Sequence, residues 1–299
     1  DKKVDALGLE PLKFKIDEAA EAYDKIKESE KPIFILLDYE NDNLQLDDNY
    51  DAVIECKKPI DSDKINIALA GVGAFARTVH LPNLFKLKSK YHLRALVNRT
   101  GPNIKVVGKQ YNVDYITTDF QRVLRDPNIH AVIIATRHHL HGSLTLKALQ
   151  AGKHVLVEKP LTISQDELIS IKSFYADKQS GLGIPIFMTG YNRRFSKYAQ
   201  RIKKLIENRT APFILNYRMN AGYIPMDHWV HGDEGGGRNL GEACHIYDLF
   251  TFLSNSKVRT ISAHALQSTN AHYTKNDNFI ATMSFEDGSV ASLTYTALG

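Results

Sequence analysis

Between residue 65 and about residue 180 the chain alternates short apolar runs with longer amphipathic segments. The apolar runs have the length and composition of buried strands, and a helical pattern follows each of them. Five such strands are separated by helices: residues 65–70, 91–97, 113–117, 130–136 and 154–159. Because parallel strands are joined only through crossovers, the alternation predicts an α/β fold with an N-terminal Rossmann-type, doubly wound parallel sheet. Ligands of such sheets bind beyond the carboxyl ends of the strands, so we expect functional residues directly after each strand.

A glycine-rich turn follows the first of these strands. Gly71 and Gly73 lie between the strand and a helical stretch. Gly71 allows a sharp turn, Gly73 allows the backbone to approach a pyrophosphate, and Ala76 keeps helix and strand close. The first helical turn, with Ala74 and Phe75, then directs free N–H groups at an anion. These five residues predict a dinucleotide site, although glycine turns between strand and helix also occur without one.

Asn98, Arg99 and Thr100 follow the second strand. An enzyme that prefers NAD usually has an acidic residue here, which holds the ribose hydroxyls, and this sequence has none. Arg99 can instead pair with the 2′-phosphate of NADP. A charge-assisted hydrogen bond of about 1.5 to 3 kcal/mol corresponds to a preference of about ten- to a hundredfold. We therefore expect NADP or NAD, with NADP favoured; a solvated loop arginine is the alternative.

Three histidines follow the fourth strand, close to Thr136. They are His138, His139 and His141, and neutral imidazole is a common metal ligand. Hydride transfer needs no metal, however, and neither cysteine nor carboxylate stands beside this cluster. We therefore expect no metal, and predict that Thr136, His138 and His141 line the cofactor pocket.

Glu158 and Lys159 follow the fifth strand, with Pro160 next in the chain. A lysine at the carboxyl end of a parallel strand lies in the crevice, where partial desolvation lowers its pKa toward acid-base use. A lysine beside a glutamate is otherwise an ordinary ion pair. We predict that Glu158 contacts the cofactor, and that Lys159 both contacts the cofactor and takes part in catalysis.

The second half of the chain contains several alternating strands, which predict an α+β domain with a largely antiparallel sheet. A helix from about Lys197 has apolar residues on one face, including Tyr198 and Leu205. A later helix begins at Asn239 and places Glu242, His245 and Asp248 on one face. His245 can take a hydroxyl proton as a general base. The alternative for Glu242 is structural, because its spacing from Asn239 is that of a capping box.

Three motifs occur in the order of a known family: GVGAFA, Glu158-Lys159-Pro160 and GGGRNLGEACHIYDL. With them the chain, from Ile65 to Gly299, resembles the Gfo/Idh/MocA family of oxidoreductases. The resemblance implies hydride transfer between a nicotinamide cofactor and a secondary alcohol or ketone of a sugar, polyol or nucleotide sugar. The implied catalytic residues are Lys159, His245 and Glu242, and the implied substrate-binding residues are Tyr191, Arg193 and Asp248.

The match to this family has one departure. Members commonly carry an aspartate four residues before the histidine, where this chain has Gly241, and an acid appears at Glu242 instead. Two alternatives stay open. The resemblance also includes nicotinamide-dependent glycosidases, and the missing aspartate is compatible with a catalytically silent protein that binds the cofactor as a sensor. We also expect a homo-oligomer formed through the C-terminal sheet.

The first sixty residues differ from the rest. Pro11 to Tyr39 resembles the closing helix and strand of zinc-type alcohol dehydrogenases, with Asp17 as a helix cap, and a polar linker follows. The resemblance implies a piece of a longer two-enzyme polypeptide; an ordinary N-terminal extension is the alternative. We predict this segment with its linker over 1–60, a dinucleotide-binding domain over 61–189 and a substrate domain over 190–299.

Composition narrows the class of protein. The net charge of +4 comes from 38 basic and 34 acidic residues spread along 299 residues, which argues against a nucleic-acid partner. The two cysteines, Cys56 and Cys244, lack metal-ligand spacing and suit a reducing compartment. We expect a cytoplasmic protein with no membrane partner, because no leader is recognised and no apolar run approaches the ~20 residues that cross a bilayer.

Overall fold

The computed structural model describes residues 12–27, 35–38, 54–55, 63–99, 102–176, 183–267 and 272–298. It contains two compact units, one within 1–50 and one within 51–299. No helix in the described part of the chain is long and apolar enough to pass through a bilayer.

The first unit contains a parallel pair of strands. Strand β1 (Leu12–Lys15) pairs with β2 (Ile35–Asp38), and helix α1 (Ala19–Lys25) lies between them in sequence. The prediction that Asp17 caps this helix is wrong. Asp17 lies in a 3-10 turn, so the helix begins after Glu18, whose side chain makes no cap hydrogen bond.

The second unit contains a sheet in which the described strands number seven. They are β3 (Ile54–Glu55), β4 (Ile65–Ala70), β5 (Tyr91–Val97), β6 (Tyr115–Thr117), β7 (Ala131–Ile134), β8 (His154–Val157) and β9 (Phe187–Thr189). Their order is β3-β6-β5-β4-β7-β8-β9, and all pairings are parallel except the one between β3 and β6. The predicted parallel sheet is therefore confirmed. From β4 the chain adds β5 and β6 on one side, and it then returns to add β7, β8 and β9 on the other side. In such sheets the ligand crevice lies at this switch point, beyond the carboxyl ends of β4 and its neighbours.

Helices cover both faces of this sheet. They are α2 (Leu81–Lys86), α3 (Pro102–Tyr111), α4 (Phe120–Arg125), α5 (His141–Gln150) and α6 (Gln165–Ala176), and a π-helical turn over Ala76–His80 precedes α2. Strand β4 shows why both faces are apolar, since Ala68 packs into one core while Ile67 and Leu69 pack into the other. A strand that is buried on both faces has a nearly continuous apolar sequence, and β4 has such a sequence.

A second sheet forms the rest of this unit. Helix α7 (Lys197–Ile206) precedes β10 (Ile214–Asn220), and helix α8 (Cys244–Ser254) precedes β11 (Val258–Ala265), β12 (Asn278–Phe285) and β13 (Val290–Thr296). The order is β10-β13-β12-β11, with β10 parallel to β13 and the other pairings antiparallel. The predicted α+β domain with a largely antiparallel sheet is confirmed. Ile246 and Phe250 of α8 share a core with the inner face of this sheet.

Candidate active site

The glycine turn after β4 has the conformation that its sequence predicts. Gly71 has a φ of +90°, and a Cβ there would lie 2.5 Å from the carbonyl oxygen of Ala135. A side chain at Gly71 is therefore excluded by both strain and contact. A Cβ at Gly73 would meet no atom within 4 Å, so space is open where the helix begins at Ala74. These features fit a pyrophosphate held by backbone N–H groups.

Residues from the neighbouring strands surround this turn. The backbone N–H of Val72 donates to Oδ1 of Asn98 (3.4 Å), which joins the end of β5 to the turn. Arg99 follows and is exposed. Thr136 lies directly against Gly71 on the other side. Thr100, also predicted to bind the cofactor, lies outside the described residues.

The histidines after β7 have distinct surroundings. His138 is buried, its Nδ1–H donates to the carbonyl oxygen of Gly235 (2.8 Å), and its ring packs against Trp229. Burial lowers the pKa of His138 to about 4. His141 contacts the carbonyl oxygens of Pro160 and Thr136 through its two ring nitrogens, at 2.8 and 3.1 Å. His141 thus ties two loops together and offers no ring nitrogen to a cofactor.

The described residues contain no group of three or more histidine, cysteine or acidic side chains placed to hold a metal ion. His139 differs from its two neighbours in that its Nδ1 is buried and has no hydrogen-bond partner in the described structure. Its backbone N–H donates to the carbonyl oxygen of Glu234 (3.2 Å).

Lys159 connects the two sheets across the crevice. Its Nζ donates to the carbonyl oxygen of Gly241 (2.7 Å), which belongs to the π-helical turn over Asn239–Ala243 before α8. The lack of a side chain at Gly241 also allows His138 to pack closely there, since a Cβ would lie 3.0 Å from Cε1 of His138. The histidine therefore occupies the space that a residue larger than glycine would need.

His245 lies one turn further along the same helix and is buried. Its Nδ1 is buried and has no hydrogen-bond partner in the described structure. Burial, Lys159 and Arg193 together lower the pKa of His245 to about 4, which leaves the ring neutral at pH 7. The ring packs edge-on against Tyr191, with centroids 6.2 Å apart. The structure thus brings Lys159, His245, Tyr191 and Arg193 into one site.

The three predicted acidic site residues each have a partner within the protein. Glu158 accepts from Nε2 of His80 (2.8 Å). Glu242 accepts from the guanidinium of Arg238 and from the hydroxyl of Tyr295. Asp248 accepts two hydrogen bonds from the guanidinium of Arg194. The predicted capping box between Asn239 and Glu242 does not form, because the carboxylate of Glu242 accepts hydrogen bonds from the guanidinium of Arg238 instead.

Sequence reasoning missed two residues of this region. His80 pairs with Glu158 and also packs against Phe75 of the glycine turn, with centroids 5.4 Å apart. Nothing local in the sequence indicates this contact, because 78 residues separate the two partners. Arg238 is 1% exposed and holds Glu242. Its i,i+4 spacing from Glu242 was a detectable signal.

Two sequence models match this chain. One, described as an oxidoreductase family with an NAD-binding Rossmann fold, matches residues 65–183, and a GFO/IDH/MocA C-terminal domain matches residues 199–298. Together they cover the second sheet and all of the first sheet except β3 and β9. The resemblance of Pro11 to Tyr39 to zinc-type alcohol dehydrogenases lies outside the matched residues and stays a prediction.

Individual relatives agree with these matches. The uncharacterized oxidoreductase YrbE of Bacillus subtilis is 25% identical over 76% of this chain and 66% of its own length. The levoglucosan dehydrogenase of Pseudarthrobacter phenanthrenivorans is 28% identical over 63% of this chain and 51% of its own. The chain therefore spans between half and two thirds of these curated relatives.

A solved structure gives the same result for the fold. The NAD-binding protein from Listeria innocua is 28% identical, with a TM-score of 0.65, and the match covers 79% of this chain and 68% of that one. The glycine turn at Gly71 and the crevice lysine at Lys159 lie within the first family match, over residues 65–183, and His245 lies within the second, over residues 199–298. The protein belongs to the Gfo/Idh/MocA family of oxidoreductases.

Proposed function

We propose that this chain is an NAD(P)-dependent dehydrogenase that transfers hydride between nicotinamide and a secondary alcohol or ketone of a sugar, polyol or nucleotide sugar. One observation carries the proposal. Lys159, at the end of the cofactor-binding sheet, hydrogen-bonds the helix turn that leads to His245 in the facing domain. The substrate class is supported by the names of relatives, such as the levoglucosan dehydrogenase described above.

The chain's own residues supply the binding and the proton chemistry. Gly71, Gly73 and the helix that starts at Ala74 hold the pyrophosphate, and Asn98 holds the turn in place. A nicotinamide cofactor held there would supply the hydride acceptor for oxidation of the substrate carbon and the hydride donor for the reverse reaction. Lys159 donates a hydrogen bond to the reacting oxygen, which stabilises negative charge there.

His245 acts as the general base in oxidation and as the general acid in reduction. In the direction of oxidation, the O–H bond of the substrate breaks and its proton passes to the neutral ring of His245, whose Nδ1 has no partner in the described structure. In the direction of reduction the same ring returns the proton to the carbonyl oxygen. Neutrality of the ring at pH 7 keeps it ready to accept a proton, which a general base requires.

We also propose NADP as the preferred cofactor and a homo-oligomer as the functional form. Arg99 is exposed next to the turn and supports the first proposal. The outer face of the C-terminal sheet supports the second, because its central strands β12 and β13 present Thr, Ser, Ile and Val there and no charged residue. Ile214, Ile280 and Val290 are exposed on this face.

The function is tested by cofactor titration followed by turnover. We expect saturable binding of NADPH or NADH, followed by turnover of at least one sugar or polyol in a broad panel. Lys159→Met should then lower kcat by about a hundredfold or more while it spares cofactor binding. Cofactor binding without turnover on any panel member would favour a cofactor-sensing protein, and release of free sugar without net cofactor turnover would favour a glycosidase.

A further inference from the structure

The charges of the crevice are not balanced locally. Every carboxylate that sequence reasoning assigned to the site accepts hydrogen bonds from a basic side chain of the protein itself. These pairs are Glu158 with His80, Glu242 with Arg238, and Asp248 with Arg194. None of the three acids forms an ion pair with Lys159 or Arg193.

Both of those basic residues bind neutral oxygen atoms instead. Nζ of Lys159 donates to the backbone carbonyl oxygen of Gly241 (2.7 Å). Nη1 of Arg193 donates to the hydroxyl of Tyr217 (2.9 Å). Arg194, the next residue in the chain, differs from Arg193 because its guanidinium forms two hydrogen bonds with the carboxylate of Asp248. Two half-buried positive charges therefore face the site without a carboxylate partner in the described structure.

The protonation of His245 indicates that the electrostatic potential in the crevice is positive. Lys159 and Arg193 disfavour the proton on this ring more strongly than Glu158 and Glu242 favour it. Lys159 acts in the same direction on His138. The crevice around the two histidines is thus electropositive, and a half-buried positive charge without a counter-charge is costly unless a ligand supplies one.

We propose that the substrate of this crevice is an anionic hydroxy compound, whose carboxylate or phosphate pairs with Arg193 while its reacting hydroxyl lies at Lys159. The planar guanidinium fits either anion through two parallel hydrogen bonds. This inference rests on the proposed function, of which it narrows the substrate class. The cofactor phosphates do not meet the same need, since their cradle is the glycine turn at Gly71 and Gly73.

The same anion prepares His245 for its task. Burial is the largest cause of the low pKa of His245, and the positive charges of Lys159 and Arg193 lower it further. A negative charge beside these two residues opposes that second contribution. The pKa then rises toward its ordinary value, and a base whose pKa lies nearer to the working pH takes the hydroxyl proton more efficiently. Recognition of the anion and activation of the base are therefore coupled at this site.

The experiment compares neutral sugars with their anionic counterparts. Binding of a panel of hexoses, each with its uronate and its 6-phosphate, is measured calorimetrically on the full chain, with and without NADPH. We expect the anionic member of at least one pair to bind about ten- to a hundredfold more tightly. Preference for the uronate or for the phosphate identifies which anion the site takes.

Two variants decide whether Arg193 is responsible. Arg193→Gln should abolish the preference for the anion, whereas Arg201→Gln, which removes the same charge from an exposed position on α7, should retain it. The inference is overturned if no anionic sugar binds more tightly than its neutral partner, or if the preference survives in Arg193→Gln. Cofactor titration and hydride turnover of the original protein on the same panel test the proposed function independently of the preference for the anion.

Discussion

Gly71 and Gly73 stand two residues apart and have opposite surroundings. Gly71 has a positive φ and the Ala135 carbonyl where its side chain would be, while Gly73 has open space. The first glycine is therefore needed for the fold, and the second is needed only for what binds there. Substitution by alanine separates the two roles.

We expect Gly71→Ala to lower the free energy of unfolding by about 2 kcal/mol or more, because the left-handed conformation and the contact with Ala135 both oppose a Cβ. Gly73→Ala should leave the melting temperature unchanged and weaken NADPH binding at least tenfold, because its methyl group enters the space for the pyrophosphate. Thermal unfolding and cofactor titration of both variants check this. Normal cofactor binding by Gly73→Ala would remove the assigned phosphate site.

Arg99 distinguishes the two cofactors if it contacts the 2′-phosphate. Arg99→Ala should then weaken NADPH by about ten- to a hundredfold and leave NADH binding nearly unchanged. Arg125→Ala is a matched control, since Arg125 is exposed on α4, where it pairs with Asp119. An equal loss of affinity for NADPH and NADH would show that Arg99 does not bind the 2′-phosphate.

His138 and His245 make stability depend on pH. Burial lowers both pKa values to about 4, against about 6.5 in the unfolded chain. Between these values the unfolded state binds protons that the folded state does not, so stability is full above pH 6.5 and falls as the pH drops toward 4. From pH 7 to pH 5 we expect a loss of about 1 to 2 kcal/mol for each histidine.

His138→Gln tests this dependence, because the amide can still donate to the Gly235 carbonyl but does not titrate. Unfolding by urea at pH 7 and pH 5 should show a smaller loss of stability in His138→Gln than in the original protein. His264→Gln, at an exposed position of β11, should leave the pH dependence as it is. An unchanged dependence in His138→Gln would mean that the pKa of His138 is the same in the folded and the unfolded state.

At the scale of elements, the two helices that carry the site begin in the same way. A π-helical turn over Ala76–His80 precedes α2, and another over Asn239–Ala243 precedes α8. Each widened turn brings a site residue to its partner, His80 to Glu158 in one and Gly241 to Lys159 in the other. π-Helical turns are rare and occur frequently at functional sites.

Glu242 joins the start of helix α8 to the C-terminal sheet. Its carboxylate is shared by Arg238 and by Tyr295 of β13. We expect Glu242→Gln to destabilise the protein by about 1 to 3 kcal/mol, since buried Arg238 loses its counter-charge, and to change kcat only a few-fold. Glu207→Gln, exposed at the end of α7, is the control. A hundredfold loss of kcat with normal stability would instead support the catalytic role predicted for Glu242.

Structure that depends on neighbouring residues was predictable from the sequence, whereas contacts between distant elements were not. The five strands and the glycine turn were predictable because each is encoded within a few neighbouring residues. The partners of Glu158, Glu242 and Asp248 were not, because they depend on how distant elements approach. The apolar face predicted for α7 is not buried at two of its residues, since the exposed fraction is 84% for Tyr198 and 67% for Leu205.

At the scale of the whole molecule, the outer face of the C-terminal sheet is the surface that an oligomer would cover. Thr282 lies at its centre, opposite Ser292 of β13. We expect Thr282→Arg to shift the protein from dimer or higher oligomer to monomer, because a buried arginine without a partner would be costly. Tyr198→Arg, on α7 away from the sheet, should leave the oligomer intact.

Sedimentation velocity of the two variants and of the original protein measures the effect. A monomeric original protein would contradict the proposal. So would an oligomer of unchanged mass in Thr282→Arg, because the sheet face would then lie outside the contact.

The parallel pairing of β10 with β13 has a consequence for synthesis. Asn216 and its partner Ser292 are 76 residues apart in the chain. At about 5 to 20 residues per second, β10 leaves the ribosome roughly 4 to 15 s before the strand that it pairs with. Through that interval its edge is open to other chains. A nascent polypeptide that stalls before residue 290 is therefore the form of this domain that we expect to aggregate most readily.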